Sequence, residues 1–367
     1  MSMGSDGVLT IQAGPAALDH LRRHGLRAGD VAAIAGAAGG PKGLILQAID
    51  QFLFGEWLPQ APRQRTLIGA SIGAWRMAAA CHADPASAFQ RLGDLYCEQR
   101  YPRKPSPQLV SEVCIRILQD FVGGHENEIV DHPQHKLNIL VSRGRGLLQQ
   151  PTRSAQTVAG FATATLANLA SRKLLARHLD RVIFSAQPTP WLATPFDAFD
   201  TRFAPLQQDN LATALLASGT LPFIMPPVTA IPHAPPGTYW DGGLIDYHLA
   251  LPYARLAGQP EGGLVLYPHF TNHLVPGWLD KPLCWRRAGR GTHRHWLDNV
   301  ILISPSQRFL QALPRQKLPD RSDFMHHGLD HAARIADWRT AIRAGQRLRD
   351  ALAAFIARPD PALVMPL

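Results

Sequence analysis

Short apolar runs closed by glycine set the pattern of the first third of the chain. Val31-Ala-Ala-Ile-Ala-Gly36 has the continuous apolarity of a strand buried on both faces. It is followed by a glycine-rich turn, Ala37-Ala-Gly-Gly40, and by an apolar helix predicted from about Pro41 to Leu53. The same order recurs at Arg65-Thr-Leu-Ile-Gly-Ala-Ser71, where a strand turns sharply into a helix predicted over Ile72 to His82. Two strand–turn–helix units in succession imply an α/β sheet with parallel strands and crossover helices.

The rest of the pattern extends this plan. Residues 15–25 read as a short helix ended by Gly25. Pro102 to Pro107 interrupts the periodicity, and residues 108–150 alternate helical pieces with His- and Gly-bearing loops. The segment around 100–180 is therefore expected to form a cap. Thr157 to Leu179 reads as a helix and Arg181 to Ser185 as a core strand, and Asn210 to Ser218 reads as an apolar helix with Asp209 as its cap. Gly219 to Pro227 forms a rigid exit loop, and Tyr239-Trp240 leads into Asp241-Gly-Gly243. Further strands are expected at Gly263 to Tyr267 and Val300 to Ile303. From Leu329 to Ile356 one long helix carries Ile335, Trp338, Ile342, Leu348, Leu352 and Ile356 on one face and arginines opposite. The expected division is one domain over 1–328 and a C-terminal amphipathic helix and tail over 329–367.

Composition narrows the setting. At 367 residues and 46% hydrophobic content the chain can bury a large core without staples. Cys81, Cys97, Cys114 and Cys284 form no CxxC pair and no zinc-type spacing with histidine, so no disulfide framework and no metal are expected. The opening MSMGSDGVLT lacks the basic and apolar regions of an export signal, and no apolar run reaches about 18 residues, so a cytoplasmic protein is expected. Lysine plus arginine number 37 against 28 acidic residues, a net charge of +9, which favours anionic surfaces such as phospholipid headgroups or nucleic acid. Without a basic patch interleaved with aromatics, nucleic acid is the less favoured partner, and peripheral contact with an anionic membrane the more favoured.

Three short motifs carry candidate chemistry. Gly69-Ala-Ser71-Ile-Gly73 is a GxSxG element between a strand and a helix, the context a nucleophile elbow requires, although serine in such a turn is also a common structural residue. Ala37-Ala-Gly39-Gly40-Pro-Lys42-Gly43 can turn backbone N–H groups toward an oxyanion, or can simply join strand to helix. A phosphate-binding Walker loop ending at Lys42 would need glycine in place of Pro41 and serine or threonine in place of Gly43. Asp241-Gly-Gly243 is an ordinary turn sequence when viewed alone, and gains meaning as the third member of a set.

Taken together, the glycine-rich loop, GxSxG, an apolar helix leaving through Ala217-Ser-Gly-Thr-Leu-Pro222, and then Asp-Gly-Gly resemble patatin-like phospholipases over about residues 31–246. The resemblance implies a three-layer α/β/α fold with a mostly parallel central sheet. It further implies hydrolysis of carboxylic esters of lipids through an acyl-enzyme, with no cofactor. By similarity Ser71 is the nucleophile, Asp241 the base, Gly39 and Gly40 the oxyanion donors, and Lys42 the basic, substrate-binding residue of the loop. Ala37 and Ala38 replace the acidic residue and first glycine usual in that loop, and Asp246-Tyr-His248 stands where many relatives carry an asparagine ahead of a proline.

Other readings stay open at this level. His248 could complete a Ser-His-Asp triad in an ordinary α/β-hydrolase. The chain could instead depolymerise a storage polyester, or bind anionic lipid without catalysis. Met325-His-His-Gly-Leu-Asp-His331 is histidine-rich, yet lacks flanking acidic or cysteine ligands at useful spacing and reads as a solvated loop and helix start.

Overall fold

The structure, a computed structural model, describes residues 7–150, 154–258, 262–288 and 291–367. Residues 1–6, part of the amino-terminal reading, lie outside these, as do 151–153 within the expected cap. Eleven strands among the described residues form one sheet. They are β1 (Leu9–Ala13), β2 (Val31–Gly36), β3 (Arg65–Ala70), β4 (His135–Gly144), β5 (Leu179–Ser185), β6 (Thr201–Pro205), β7 (Val228–Thr229), β8 (Thr238–Trp240), β9 (Leu264–Pro268), β10 (Val300–Pro305) and β11 (Val364–Pro366). The order is β11-β1-β10-β9-β2-β3-β4-β5-β6, with β8 on β4 and β7 on β8. The run β10-β9-β2-β3-β4 is parallel throughout, and antiparallel pairing enters at β1/β10, β4/β5 and the β8 and β7 additions. This is the expected α/β class, with a large, mixed, mostly parallel central sheet.

The central strands are apolar on both faces because helices cover both. Every residue of β2, β9 and β10 is buried, which is why their sequences read as continuous apolar runs. The β2-to-helix connection is less regular than its periodicity suggests. Pro41 and the glycines around it produce a 3₁₀ stretch, Gly40–Leu46, before the helix Gln47–Phe52 and a π-turn, Leu53–Trp57.

Three details depart from the sequence reading. The stretch expected as one helix from Thr157 to Leu179 is broken into helices Ser154–Ala170 and Arg172–Leu175 and enters β5 at Leu179. Within the segment around 100–180, β4 is a central strand, paired with β3 along one edge and with β5 along the other, so this stretch supplies sheet as well as cover. Its helix Pro107–Val122 packs on the helix Gln208–Ser218. Asp209 does not cap that second helix. Its start is closed by the Gln207 N–H donating to Asn210 Oδ1 at 2.9 Å, while Asp209 pairs with His233 at 3.0 Å.

The C-terminal helix, His331–Ala357, lies against the domain rather than standing away from it. Ile335, Trp338, Leu348, Leu352 and Phe355 are buried, and at Gly345 a Cβ would come within 2.7 Å of the Ile45 carbonyl oxygen. Several of its arginines are spent internally, Arg339 on Glu98 at 2.8 Å and Arg349 on Glu56 at 2.8 Å. Among the described residues no helix is long and apolar enough to cross a membrane.

Candidate active site

The two principal candidates meet because of strand register. β3 pairs with β4 up to Ala70 opposite Leu140, and β8 pairs with β4 in the opposite direction, Trp240 opposite Ser142. One further step along each ladder brings both chains to the level of Val141. Ser71 and Asp241 are those next residues, arriving head-on. The Ser71 hydroxyl donates to Asp241 Oδ2 at 2.9 Å, and both side chains are buried.

Local backbone chemistry fixes this arrangement. Ser71 has φ 56° and ψ −131°, a left-handed conformation that costs a residue with a side chain about 1–3 kcal/mol. The glycines on either side make the turn sterically feasible. A Cβ on Gly69 would lie 2.4 Å from Ala74 Cα, and one on Gly73 would lie 1.8 Å from the Gly36 carbonyl oxygen. The Gly36–Gly73 contact joins the two glycine turns backbone to backbone. Ser71 N–H donates to Ser218 Oγ at 2.8 Å, and Ser218 Oγ donates to the Leu140 carbonyl at 2.7 Å. On the other side, Asp241 N–H donates to the Thr220 carbonyl at 2.7 Å and Gly242 N–H to the Ser218 carbonyl at 3.1 Å.

Asp241 Oδ1 receives the Gly243 N–H at 2.7 Å. Burial raises this carboxyl above its ordinary range, opposed by the positive charge of Arg321, the Gly243 and Ser71 hydrogen bonds and Lys281. A group so placed accepts a proton more readily than an exposed aspartate.

The glycine-rich loop comes to the same place. Gly39 and Gly40 line one cavity with Ser71, Asp241 and Lys42. Gly40, at φ 56°, opens the 3₁₀ stretch, whose first N–H groups have no partner within the helix and are free to meet an anion. Gly39 has extended backbone, and its constraint is steric, because a Cβ there would lie 2.5 Å from the Phe270 ring. All five candidates from the sequence are thus brought together.

His248 is not. It is buried, its Nδ1 accepts the Val275 N–H at 3.0 Å, and its ring packs between Tyr247 and His269. Burial pushes it well below the usual imidazole range, so it is held neutral. Among the described residues no histidine is hydrogen-bonded to Ser71 or Asp241. The neighbouring Asp246 is occupied by Arg181, which donates to both its carboxylate oxygens at 2.7 and 2.8 Å.

Two cavities open on Ser71. The larger, about 660 Å³, is mainly apolar, lined by Trp75, Tyr96, Ile117, Leu221, Ile224 and Phe324 among others, with Arg103, Lys104 and Arg321 also on its border. The smaller, about 260 Å³, holds the Asp241 side of the serine and carries Lys42, Lys281 and Arg321. Lys281 and Arg321 escaped the sequence reading. They lie in irregular segments with no motif, where a single basic residue gives no signal.

A family model described as patatin-like phospholipase matches residues 63–252, just over half of the chain. The protein belongs to that family. Members are serine hydrolases, and membership implies lipid acyl hydrolase activity on lipid esters. No curated protein matches the chain significantly. Within this patatin-like chain the matched span contains Ser71, Ser218 and Asp241, whereas the glycine-rich loop, Lys281 and Arg321 fall outside it.

Residues able to hold a metal lie elsewhere. Among the described residues His82, His125 and Glu128 bring ligand atoms within 4.8 Å of one another, away from Ser71. The histidine-rich 325–331 segment forms no such cluster. His327 pairs with Asp337 at 3.2 Å, and His326 and His331 border the large cavity.

Proposed function

We propose that the protein hydrolyses carboxylic esters of lipids through a Ser71–Asp241 dyad, with a covalent acyl-enzyme. The observation that supports this most directly is the 2.9 Å hydrogen bond from the Ser71 hydroxyl to a buried carboxylate at the mouth of an apolar cavity. In the acylation step Ser71 Oγ attacks the ester carbonyl carbon while its proton passes to Asp241. The carbonyl oxygen becomes an oxyanion facing the N–H groups of Gly39 and Gly40. Collapse of this intermediate breaks the bond to the alcohol oxygen, which takes the proton from Asp241 and leaves. Water then repeats the sequence on the acyl-enzyme, giving its proton to Asp241 and releasing the fatty acid from Ser71. Proton inventory closes over the cycle without a metal or an organic group.

The apolar cavity suits an acyl chain, and its volume falls in the range of about 300–1,000 Å³ that small-molecule sites occupy. Phe223, Ile224 and Met325 stand exposed, the last two on the cavity wall, and offer an apolar rim to a lipid surface. Incubation with a fluorophosphonate and mapping of the labelled peptide tests the reading. Label is expected on Ser71, and an unlabelled Ser71 in the folded protein overturns it.

A further inference from the structure

We propose that His82, His125 and Glu128 form a binding site for a divalent transition-metal ion of the zinc type, which staples two helices together away from the ester chemistry.

The three residues come from two places in the chain. His82 lies just beyond the helix Ile72–Ala79, whereas His125 precedes and Glu128 belongs to the short helix Glu126–Val130. Their ligand atoms lie within 4.8 Å of one another. Ligands held by a tetrahedral zinc at about 2.0–2.2 Å stand about 3.3 Å apart, so side-chain movements of about 1.5 Å or less close the set on an ion. Glu128 is already oriented for this. Its Oε2 accepts the Ala83 N–H at 3.3 Å, and its Oε1 faces both rings, hydrogen-bonded to His125 Nδ1 and 3.4 Å from His82 Nδ1. A backbone N–H on the second oxygen is the kind of outer support that holds a ligating carboxylate in place.

His82 is the member of the cluster that protein groups leave unsatisfied. Its side chain is 6% exposed, and its ring packs on Phe121 and His125 at centroid distances of 5.1 and 4.7 Å. It makes no hydrogen bond with any described residue, and its Nε2 is buried without a partner. A buried polar ring left in this state is costly, and Glu128 Oε1 has already given its hydrogen bond to His125. Coordination of an ion compensates His82 without taking Glu128 from His125. Burial above all brings His82 down to about 4, so its imidazole is neutral, the state that a metal ion requires.

The donor set decides the class of ion. Two imidazole nitrogens and one carboxylate suit zinc and its neighbours, whereas magnesium and calcium take oxygen ligands. His125 and Glu128 are partly exposed, which leaves a path for the ion and a fourth position for water. The eight-residue helix Ile72–Ala79, about 12 Å long, starts at Ser71 and separates it from the cluster, so the ion takes no part in ester hydrolysis. It joins the far end of that helix to a short helix packed on β4 and on the helix Gln208–Ser218.

The test is calorimetric titration of chelator-stripped, full-length protein with zinc chloride at about pH 7.5, with Tm followed alongside. One equivalent should bind with a Kd of about 10 µM or tighter, and zinc at about a hundred times Kd should raise Tm by about 3 °C. Magnesium chloride should do neither. His125→Ala and Glu128→Gln, at partly exposed positions, should each weaken zinc binding at least about tenfold and remove the zinc-dependent rise in Tm. His82→Phe, which keeps a ring in the buried position, should do the same. A purely structural ion pair gives a different result, in which the variants lower Tm equally with and without zinc. That result, a folded parent that binds no zinc, or zinc binding that survives both His125→Ala and Glu128→Gln overturns the proposal.

Discussion

Asp241→Asn is the most informative single change, because the geometry says how it fails. In the parent, Oδ1 receives the Gly243 N–H at 2.7 Å and Oδ2 receives the Ser71 hydroxyl at 2.9 Å. An amide nitrogen cannot accept a hydrogen bond, so asparagine must keep its carbonyl on Gly243 and turn its NH₂ toward Ser71. The serine then faces a donor and has no acceptor for its proton. General-base assistance is worth about 10²–10⁴-fold, and the reversed hydrogen bond adds misorientation, so kcat should fall by about 10³–10⁴-fold, equivalent to about 4–5.5 kcal/mol of barrier. Folding should move the other way. Burial raises the Asp241 carboxyl, so its ionised form costs native stability at neutral pH, and asparagine removes that cost. The variant is expected to be at least as stable as the parent at pH 7. The difference should close only as pH falls below the ordinary aspartate value of about 3.9, where the parent carboxyl becomes protonated in both folded and unfolded states. The assays are steady-state hydrolysis of a short-chain p-nitrophenyl ester and urea unfolding at several pH values. Ser71→Ala with Asp241→Asn should be scarcely slower than either alone. A kcat within tenfold of the parent, or a clear loss of stability at pH 7, would refute the reasoning.

Gly39→Ala places a methyl group 2.5 Å from the Phe270 ring and must displace the loop, so ester hydrolysis should fall about 10²-fold with the fold retained; Gly39→Ala combined with Phe270→Leu should recover part of it, and no loss in the single variant counts against the loop's role. Asp50→Asn breaks a buried pair in which Arg76 donates to both carboxylate oxygens at 2.7 Å, and thermal unfolding should show a loss of about 3–5 kcal/mol, with a change under 1 kcal/mol rejecting the assignment. With a net charge of +9 the protein should sediment with anionic vesicles in preference to neutral ones, the preference fading as the screening length shortens to about 8 Å near 0.15 M salt; equal sedimentation with both at low salt rejects this.

Much of the frame was legible because it is built from uninterrupted local signals. β2 and β3 are apolar on both faces and end in glycine turns, so their limits were read to within a residue. Ser71 was legible for the same reason, since its flanking glycines mark a turn that no other residue would fit. Other elements depend on partners far along the chain. β4 begins at His135 and carries Asn138, Ser142 and Arg143, two of which find partners far along the chain, Asn138 in Thr189 at 2.7 Å and Arg143 in Asp180 at 2.9 Å. That polarity masked a central strand. The cations at the small cavity were hidden more deeply, because only the fold brings Lys42, Lys281 and Arg321 to one space.

The spacing of serine and aspartate is set by a part of the chain that takes no role in the chemistry. Ser218 Oγ accepts the Ser71 N–H, the Ser218 carbonyl accepts the Gly242 N–H, and the Thr220 carbonyl accepts the Asp241 N–H. Ser218 Oγ also ties this segment to the Leu140 carbonyl of β4, the strand from which both candidates take their level. One short stretch therefore grips both sides of the dyad and the strand behind them. These bonds also consume the Ser71 N–H, so the oxyanion site proposed above draws its donors from Gly39 and Gly40 rather than from Ser71. The left-handed backbone at Ser71 persists because the hydrogen bond at its own N–H and the Gly36–Gly73 contact leave the turn no relaxed alternative. The exit from the helix Gln208–Ser218 thus acts as a spacer, which gives a physical reason for Ala217-Ser-Gly-Thr-Leu-Pro222 to accompany GxSxG and Asp-Gly-Gly in one chain.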